Sequence, residues 1–328
     1  MALSGRPTAC ALGTPLEVGV PFFVRRTWYV SVRLAWFVSC VLCSLQLVAC
    51  SREPRTDSRE RVLGIDDFGD TIRMARPAAR IVSLNPTTTE ILFTLGAGPR
   101  LVGRTQYDLW PDSARFVPDL GPGIRPNVEA VIGARPDLVL LYASEDNRAA
   151  ARRMREAGIS TAAFKVDSIA EFDRLTRLLG RLVGDSARGA LVADTVMHTL
   201  DSVRAATRGL RRVTVVIPTW YEPIIVIGGG SYLSELVTIA GGRNLYDSMP
   251  SPSPTVAFED IVRLNPEFLL VGPERAARLR TLAKWRTLPA VREGRLLVFD
   301  TARVLRPAVR LGEGAVSLVR LLHPETIR

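Results

Sequence analysis

The chain has 328 residues, 47% of them hydrophobic, with 43 Lys and Arg against 33 Asp and Glu and a net charge of +10. The basic residues are almost all arginine, lie scattered among the acidic ones and form no long run with interleaved aromatics, which argues against nucleic acid as a partner. A membrane surface or an anionic ligand accounts for the excess charge equally well.

Taken in chain order, Arg25, Arg26 and Arg33 precede an apolar stretch, residues 34–47, too short to span a bilayer comfortably but right for a signal-peptide core. It ends in Leu47-Val48-Ala49-Cys50, which looks like a bacterial lipobox. Small residues before the cysteine let a peptidase approach the backbone, and the Cys50 thiol is expected to carry a diacylglyceryl group. Residues 1–24 sit awkwardly before the basic region, as expected of a translation start assigned too far upstream. Residues 1–49 therefore read as a signal peptide with that extension, and residues 50–61, polar and proline-containing, as the lipidated cysteine and a flexible tether. All four cysteines lie at or before position 50, so the exported body has no disulfide and must be held by its core. No later run is long and apolar enough to cross a bilayer.

The body opens with a hairpin over residues 62–74, turning at Asp66-Asp67-Phe68-Gly69, and a first parallel strand at 80–84. A helix follows from about Thr87 to Leu95, closed by Gly96 and Gly98. Strand-like segments recur at 100–103, 138–142 and 160–164, with helices at 147–157 and 168–183. Such alternation is the pattern of a parallel sheet with crossover helices. Residues 185–209 have no breaker except Gly189 and a plausible cap at Asp185. As one helix they would run roughly 35 Å, a semi-rigid spine that restricts closure between two lobes. Beyond it, strands are expected near 213–218, 268–272 and 295–299, and helices at 231–240, 258–264 and 308–322. The fold class is thus α/β: two Rossmann-like lobes with parallel sheets, residues 62–184 and 210–328, joined by one long interdomain helix, residues 185–209.

Two segments 130 positions apart repeat each other: NVEAVIGARPDLVLLY (127–142) and AFEDIVRLNPEFLLVG (257–272). Without a gap, Glu129 meets Glu259, Pro136 meets Pro266 and Asp137 meets Glu267, and an apolar run follows in both. Each copy reads as a short amphipathic helix opening near a glutamate, broken at an X-Pro step and followed by a buried strand. The two lobes would each carry one acidic tip at an equivalent place.

RIVSLNPTTTEILFTLGAGPRLVG (80–103), NVEAVIGARPDLVLL, GGGSYLSELVTIAGGRNLY (228–246) and FEDIVRLNPEFLLV resemble the substrate-binding proteins of ABC importers for cobalamin, haem and iron–siderophores. The likeness runs from about Val62 to Leu322 and is nearest to the cobalamin-binding member. It implies a ligand held in a cleft between the lobes, and Glu129 and Glu259 as docking glutamates that meet arginine pockets on the two subunits of a permease served by ATPase subunits. It further implies a monomeric receptor on the extracytoplasmic face of a bacterial membrane, anchored through Cys50.

Loops at the carboxyl ends of strands should line the cleft, which singles out Asn85, Tyr107, Trp110, Arg125 and Tyr142 in the first lobe and Trp220, Tyr221 and Arg306 in the second. The aromatics offer flat walls for a tetrapyrrole-like face. Gly123 and Ile124 stand where the cobalamin binder has an aromatic, a departure that leaves haem or an anionic ferric siderophore as alternative cargo. Arg125, Arg303, Arg306 and Arg310 would suit the siderophore. His198 falls on the spine and His323 at the tail, so only a tyrosine could be an axial ligand to haem, and no metal site is expected. GxSxG, GxxxxGK[ST] and HExxH motifs are absent, and neither a catalytic site nor a resident cofactor is expected. Gly228-Gly229-Gly230-Ser231 could cradle an anion, the one foothold for a cleft hydrolase, but more simply opens a helix tightly. Replacing Cys50 by Ala should move the protein from the membrane to the soluble fraction on cell fractionation; persistence in the membrane would sink the anchor.

Overall fold

A strand covered on both faces must be apolar at nearly every position, and the chain supplies such strands twice. The computed structural model describes residues 60–301 and 306–325, so Cys50, Arg303 and the leader lie outside the described residues. A hairpin comes first, β1 (Arg61–Ile65) antiparallel to β2 (Thr71–Met74). Asp66 makes its turn: Oδ1 accepts from the N–H groups of Phe68 and Asp70, and Oδ2 accepts from Ala163 N–H, pinning the turn to the neighbouring sheet. That sheet is wholly parallel, with β3 (Ile81–Leu84), β4 (Leu101–Gly103), β5 (Leu138–Tyr142) and β6 (Ser160–Phe164) in the order β4-β3-β5-β6. Every residue of β3 is buried. Helices α1 (Pro86–Thr94), α2 (Val128–Gly133), α3 (Glu145–Glu156) and α4 (Ile169–Leu182) connect and follow these strands. Asn85 caps α1 with Pro86 in its first turn, and a reciprocal Ser168–Glu171 capping box opens α4.

The long helix, α5 (Ser186–Ala206), has 21 residues and an Asp185 cap that accepts from Arg188 N–H. Its seat is set by glycine. A Cβ on Gly189 would lie 2.9 Å from the Gly180 Cα of α4, and one on Gly180 only 2.8 Å from the Gly189 Cα, so the two backbones are in direct contact. Farther along α5, the side chain of Thr199 fills the space over Gly312 of the last helix.

The second lobe contains β7 (Val213–Val216), β8 (Pro218–Tyr221), β9 (Ile224–Val226), α6 (Tyr232–Ile239), β10 (Gly242–Asn244), α7 (Phe258–Leu264), β11 (Phe268–Val271), α8 (Pro273–Thr281), α9 (Pro289–Arg292), β12 (Leu296–Val298) and α10 (Leu311–Leu322). Its parallel sheet runs β10-β7-β11-β12. In both lobes the order, counted along the chain, is second, first, third, fourth. The fold is therefore two parallel-sheet α/β lobes joined by one helix, and the repeated segments occupy the same place in each, ending in the third strand. Even their details match. Arg135 and Asn265, at equivalent positions, both adopt positive φ (52° being the value at Arg125, 49° and 44° at these two). Asp137 accepts from the N–H groups of Ala79 and Arg80 at the head of β3, and Glu267 accepts from Thr214 N–H at the head of β7.

Several second-lobe elements differ from expectation, with β10 and α9 among those not foreseen. The strand foreseen over 213–218 breaks into β7 and the antiparallel hairpin β8–β9, because Pro218 has no N–H with which to continue the ladder. Helix α8 was not foreseen because only Ala276 and Leu279 of its nine residues are buried, too sparse an apolar stripe to read. One apolar core continues through both lobes, with Leu178 of α4, Leu200 of α5, Leu236 of α6 and Leu318 of α10 among its members.

The glycine contact makes a measurable claim. Alanine is favoured over glycine inside a helix by about 1 kcal/mol, yet Gly189→Ala should lower the denaturant midpoint, since overpacking costs about 1–3 kcal/mol. Gly133→Ala, at a site with nothing within 4 Å of the added methyl, should be neutral or stabilising. A Gly189→Ala protein as stable as the wild type would disprove the tight seat.

Candidate functional site

Strand order reverses between β3 and β5, so their outgoing loops diverge and leave a crevice at the carboxyl ends of the strands. A cavity of about 400 Å³ lies there, walled by Leu84, Pro86, Tyr107, Pro122, Ile124 and Tyr142 and almost wholly apolar. Gly123 is obligatory in its rim, because a Cβ would run into the Leu84 carbonyl oxygen. In the second lobe the corresponding crevice, between the ends of β7 and β11, holds a hollow of about 560 Å³. Its lining is different: Trp220, Tyr221 and Glu222 from the β8–β9 hairpin, and Glu274, Arg275 and Arg278 from α8. Trp220 is 57% exposed, its Nε1–H donating to the Glu222 carbonyl.

Cross-lobe contacts orient these two crevices. Tyr232 N–H at the start of α6 donates to the carbonyl of Asp167, just beyond β6, and Ile169 N–H donates to Glu235 Oε1. Arg306, ahead of α10, reaches across to α1 and to the loop after β4: Nη1 donates to Glu90 Oε1 at 3.1 Å and Nη2 to the Tyr107 carbonyl at 2.6 Å. Arg310 lies over the Trp110 ring, 4.8 Å from its centroid. Carboxyl ends of both sheets thus face one cleft.

Under the cavity floor sits a polar network. Ser83, Thr88, Thr89, Thr105 and Asp108 are all buried. Asp108 accepts from Thr105 N–H, Thr105 Oγ1 and Thr89 Oγ1, each at 2.9 Å. Glu90 is 1% exposed. Burial pushes the carboxyls of Glu90 and Asp108 above the ordinary carboxylate range, with Arg306 opposing the rise at Glu90 and the Thr105 and Thr89 hydrogen bonds opposing it at Asp108.

Of the residues singled out from the sequence, Tyr107 and Tyr142 stand in the first cavity and Trp220 and Tyr221 in the second hollow. Tyr221 is also wedged edge-on against Trp285 and donates its hydroxyl to the Arg275 carbonyl. Three others are engaged within the protein. Asn85 is buried, capping α1 and donating Nδ2–H to the Phe164 carbonyl. Arg125 pairs with Asp146 at 2.9 Å, and Arg306 is committed to Glu90 and Tyr107. Trp110 lies beneath Arg310 rather than in the cavity wall. Gly228–Gly230 present no anion cradle: Gly228 N–H donates to Pro252 and Gly229 N–H to Met249, while added Cβ atoms would strike carbonyls of the 247–251 segment. The partner of Glu90 lies 216 positions away along the chain, so no local signal in the sequence points to it. Among the described residues no group of His, Cys, Asp and Glu could hold a metal ion, and no helix is long and apolar enough to cross a membrane.

Glu129 and Glu259 sit in the first turns of α2 and α7, one on each lobe, with side chains 76% and 78% exposed. Each pairs with an exposed cation, Glu129 with Arg153 at 3.0 Å and Glu259 with Lys284 at 3.7 Å. Beside Glu259 a further hollow of about 440 Å³ opens between Phe258, Lys284 and Trp285.

Comparison with known proteins gives a consistent result. The periplasmic binding protein family pattern matches residues 81–302. The vitamin B12-binding protein of Vibrio vulnificus (strain CMCP6) is 22% identical over 237 residues, covering 72% of this chain and 87% of the relative. An uncharacterized ABC transporter substrate-binding lipoprotein, YvrC, of Bacillus subtilis (strain 168) is 24% identical over 312 residues, covering 90% and 99%. Among solved structures, the apo periplasmic heme-binding protein RhuT of Roseiflexus sp. RS-1 superposes with a TM-score of 0.69 at 23% identity, covering 76% of this chain and 99% of that one.

The buried carboxyls set a pH dependence. Folded Glu90 holds its proton more tightly than the unfolded chain does, so the native state gains stability as pH falls through the raised pKa toward the unfolded value and loses it again as pH rises. Relative to Glu90→Gln, the wild type should therefore gain in denaturant midpoint as the pH is lowered from neutrality toward the ordinary carboxylate range. A gap that stays constant, or moves the other way, would contradict the assignment.

Proposed function

The chain belongs to the periplasmic binding protein family, and we propose that this member is the lipid-anchored receptor of an ABC importer, capturing a cobalamin-like corrinoid in the cleft and delivering it to the permease. The observation that carries the reading is the chemical contrast between the two crevices. The apolar cavity behind Tyr107, Ile124 and Tyr142 suits a flat macrocycle face, and the polar hollow behind Trp220, Glu222, Arg275 and Arg278 suits a periphery rich in amides and carboxylates. Relatives named for vitamin B12 support the same cargo. Haem is the second reading, favoured by the two tyrosines, Tyr107 and Tyr142, whose phenols stand in the cavity wall. An anionic siderophore is served less well, since Arg306 is already paired with the buried carboxylate of Glu90.

Capture requires no chemistry from the receptor, and the relatives are binding proteins rather than enzymes. Delivery rests on Glu129 and Glu259. One exposed ion pair is worth about 0.2–1 kcal/mol, too little to hold a large receptor. Two on separate lobes, spaced by a stiff body, make the second contact intramolecular and reward only the correct orientation. The anchor at Cys50, supported by the lipoprotein relative, keeps the receptor near the permease on the extracytoplasmic face.

Titration of the protein with cobalamin and haemin, followed by tryptophan fluorescence, should give saturable binding to one of them. Glu129→Ala with Glu259→Ala should abolish uptake of that ligand by cells while leaving its affinity within a factor of a few. A double variant that loses affinity would move both glutamates into the pocket, and binding of neither ligand would overturn the cargo.

A further inference from the structure

We propose that Arg306 and Arg310 are positioning residues, donated by the second lobe to shape the ligand cavity of the first. The inference deepens the cleft-binding reading and rests on it. Arg306 was expected to face the ligand, but both of its terminal nitrogens point elsewhere. Nη1 meets Glu90 on α1 and Nη2 meets the main-chain carbonyl of Tyr107, whose side chain forms the cavity wall. Arg310, four residues on, covers the Trp110 ring. The two guanidinium groups therefore grip opposite ends of one short turn, Tyr107 to Trp110.

From its own lobe that turn is held between those ends. Asp108 accepts from Thr105 and Thr89, and Thr105 Oγ1 accepts from Tyr107 N–H. Tyr107 is 56% exposed, so packing from its own lobe covers less than half of it. Without the arginines its carbonyl would have no partner across the cleft, and the wall would be free to swing on the Asp108 pivot. Glu90 completes the device. A buried carboxylate needs a cation, and Arg306 is the one that reaches it, so the pair stays joined across the lobes rather than opening to water. Cavity shape is then coupled to the distance between lobes: spreading them withdraws the strut, and the wall loses its fixed position.

Hydrogen exchange on the full-length protein in detergent tests the strut without any ligand. Arg306→Gln and Glu90→Gln should speed amide exchange in the peptide spanning 104–112 while exchange in α5 stays as in the wild type. Arg306→Lys should rescue only partly, since an ammonium cannot span both acceptors with the geometry of a planar fork. Arg310→Gln, which leaves the buried pair intact, should show a smaller rise in the same peptide. Titration with cobalamin and haemin supplies the second readout. If the wall holds its place only a tenth of the time, apparent Kd rises about tenfold. Unchanged exchange at 104–112 in both Arg306→Gln and Glu90→Gln overturns the proposal. So does faster exchange with unaltered affinity, which would detach the turn from ligand binding. If neither probe binds the wild type, the proposed cargo falls and the exchange result alone decides the strut. If Arg306→Gln fails to fold, Arg306→Lys and Arg310→Gln decide it by the same two measurements.

Discussion

Gly180 and Gly189 bring two helical backbones into contact, and the position of α5 follows from that contact. Any side chain at either site would hold the helices apart. The Gly180 carbonyl accepts from Asp185 N–H in the connecting turn and Gly189 N–H donates to the Asp185 carbonyl, so the close approach costs neither hydrogen bond and gains dispersion contacts along the crossing. At the other lobe the side chain of Thr199, rather than a second backbone, packs against Gly312 of α10. A helix seated tightly on α4 and on α10 belongs to both cores at once, which is why a single apolar cluster passes through the two lobes. Lobe spacing, cleft width and the separation of the exposed glutamates all inherit their values from this seat.

Against that stiff frame, the cleft is built from complementary halves. Identical strand order places a crevice at the same topological point in each lobe, but the connections leaving the strands differ. In the first lobe they carry proline, isoleucine and tyrosine over a buried Ser–Thr–Asp network. In the second, the β8–β9 hairpin and α8 bring glutamate and arginine beside an exposed tryptophan. The repeated strand order thus supplies the scaffold, and the two differing connections supply the chemical asymmetry. Buried charge is tolerated at the junction because Glu90 finds Arg306 across the gap, and the same arginine holds the cavity wall.

The repeat also explains why the two acidic tips match. Asp137 and Glu267 tie the third strand of each lobe to the first, and the tight left-handed residue before each X-Pro step turns the helix into that strand. Glu129 and Glu259 ride on the helices so placed, exposed on separate lobes. Their neighbours Arg153 and Lys284 are exposed as well, so these pairs contribute little to folding and leave both carboxylates accessible.

Local signals were enough to read much of this from the chain. Continuous apolar runs gave the buried strands, Asp185 and Ser168 marked helix starts, and the 130-residue repeat announced two like lobes. The aromatic cavity residues Tyr107, Tyr142, Trp220 and Tyr221 were within reach because strand ends in such sheets must meet in a crevice. Short-range pattern could not say which of the polar residues nearby faces a ligand. Asn85, Arg125 and Arg306 look available along the chain, and each is engaged by a partner that only folding brings near. Sequence by itself determined most of the buried parallel strands, the two-lobe class and the long helix, because those depend on periodicity and on caps a few residues away. Tertiary structure alone decided the seat of the spine, the pairing of Glu90 with Arg306 and the polarity of each half of the cleft, because those depend on contacts between residues far apart in the chain, about which local propensity carries no information.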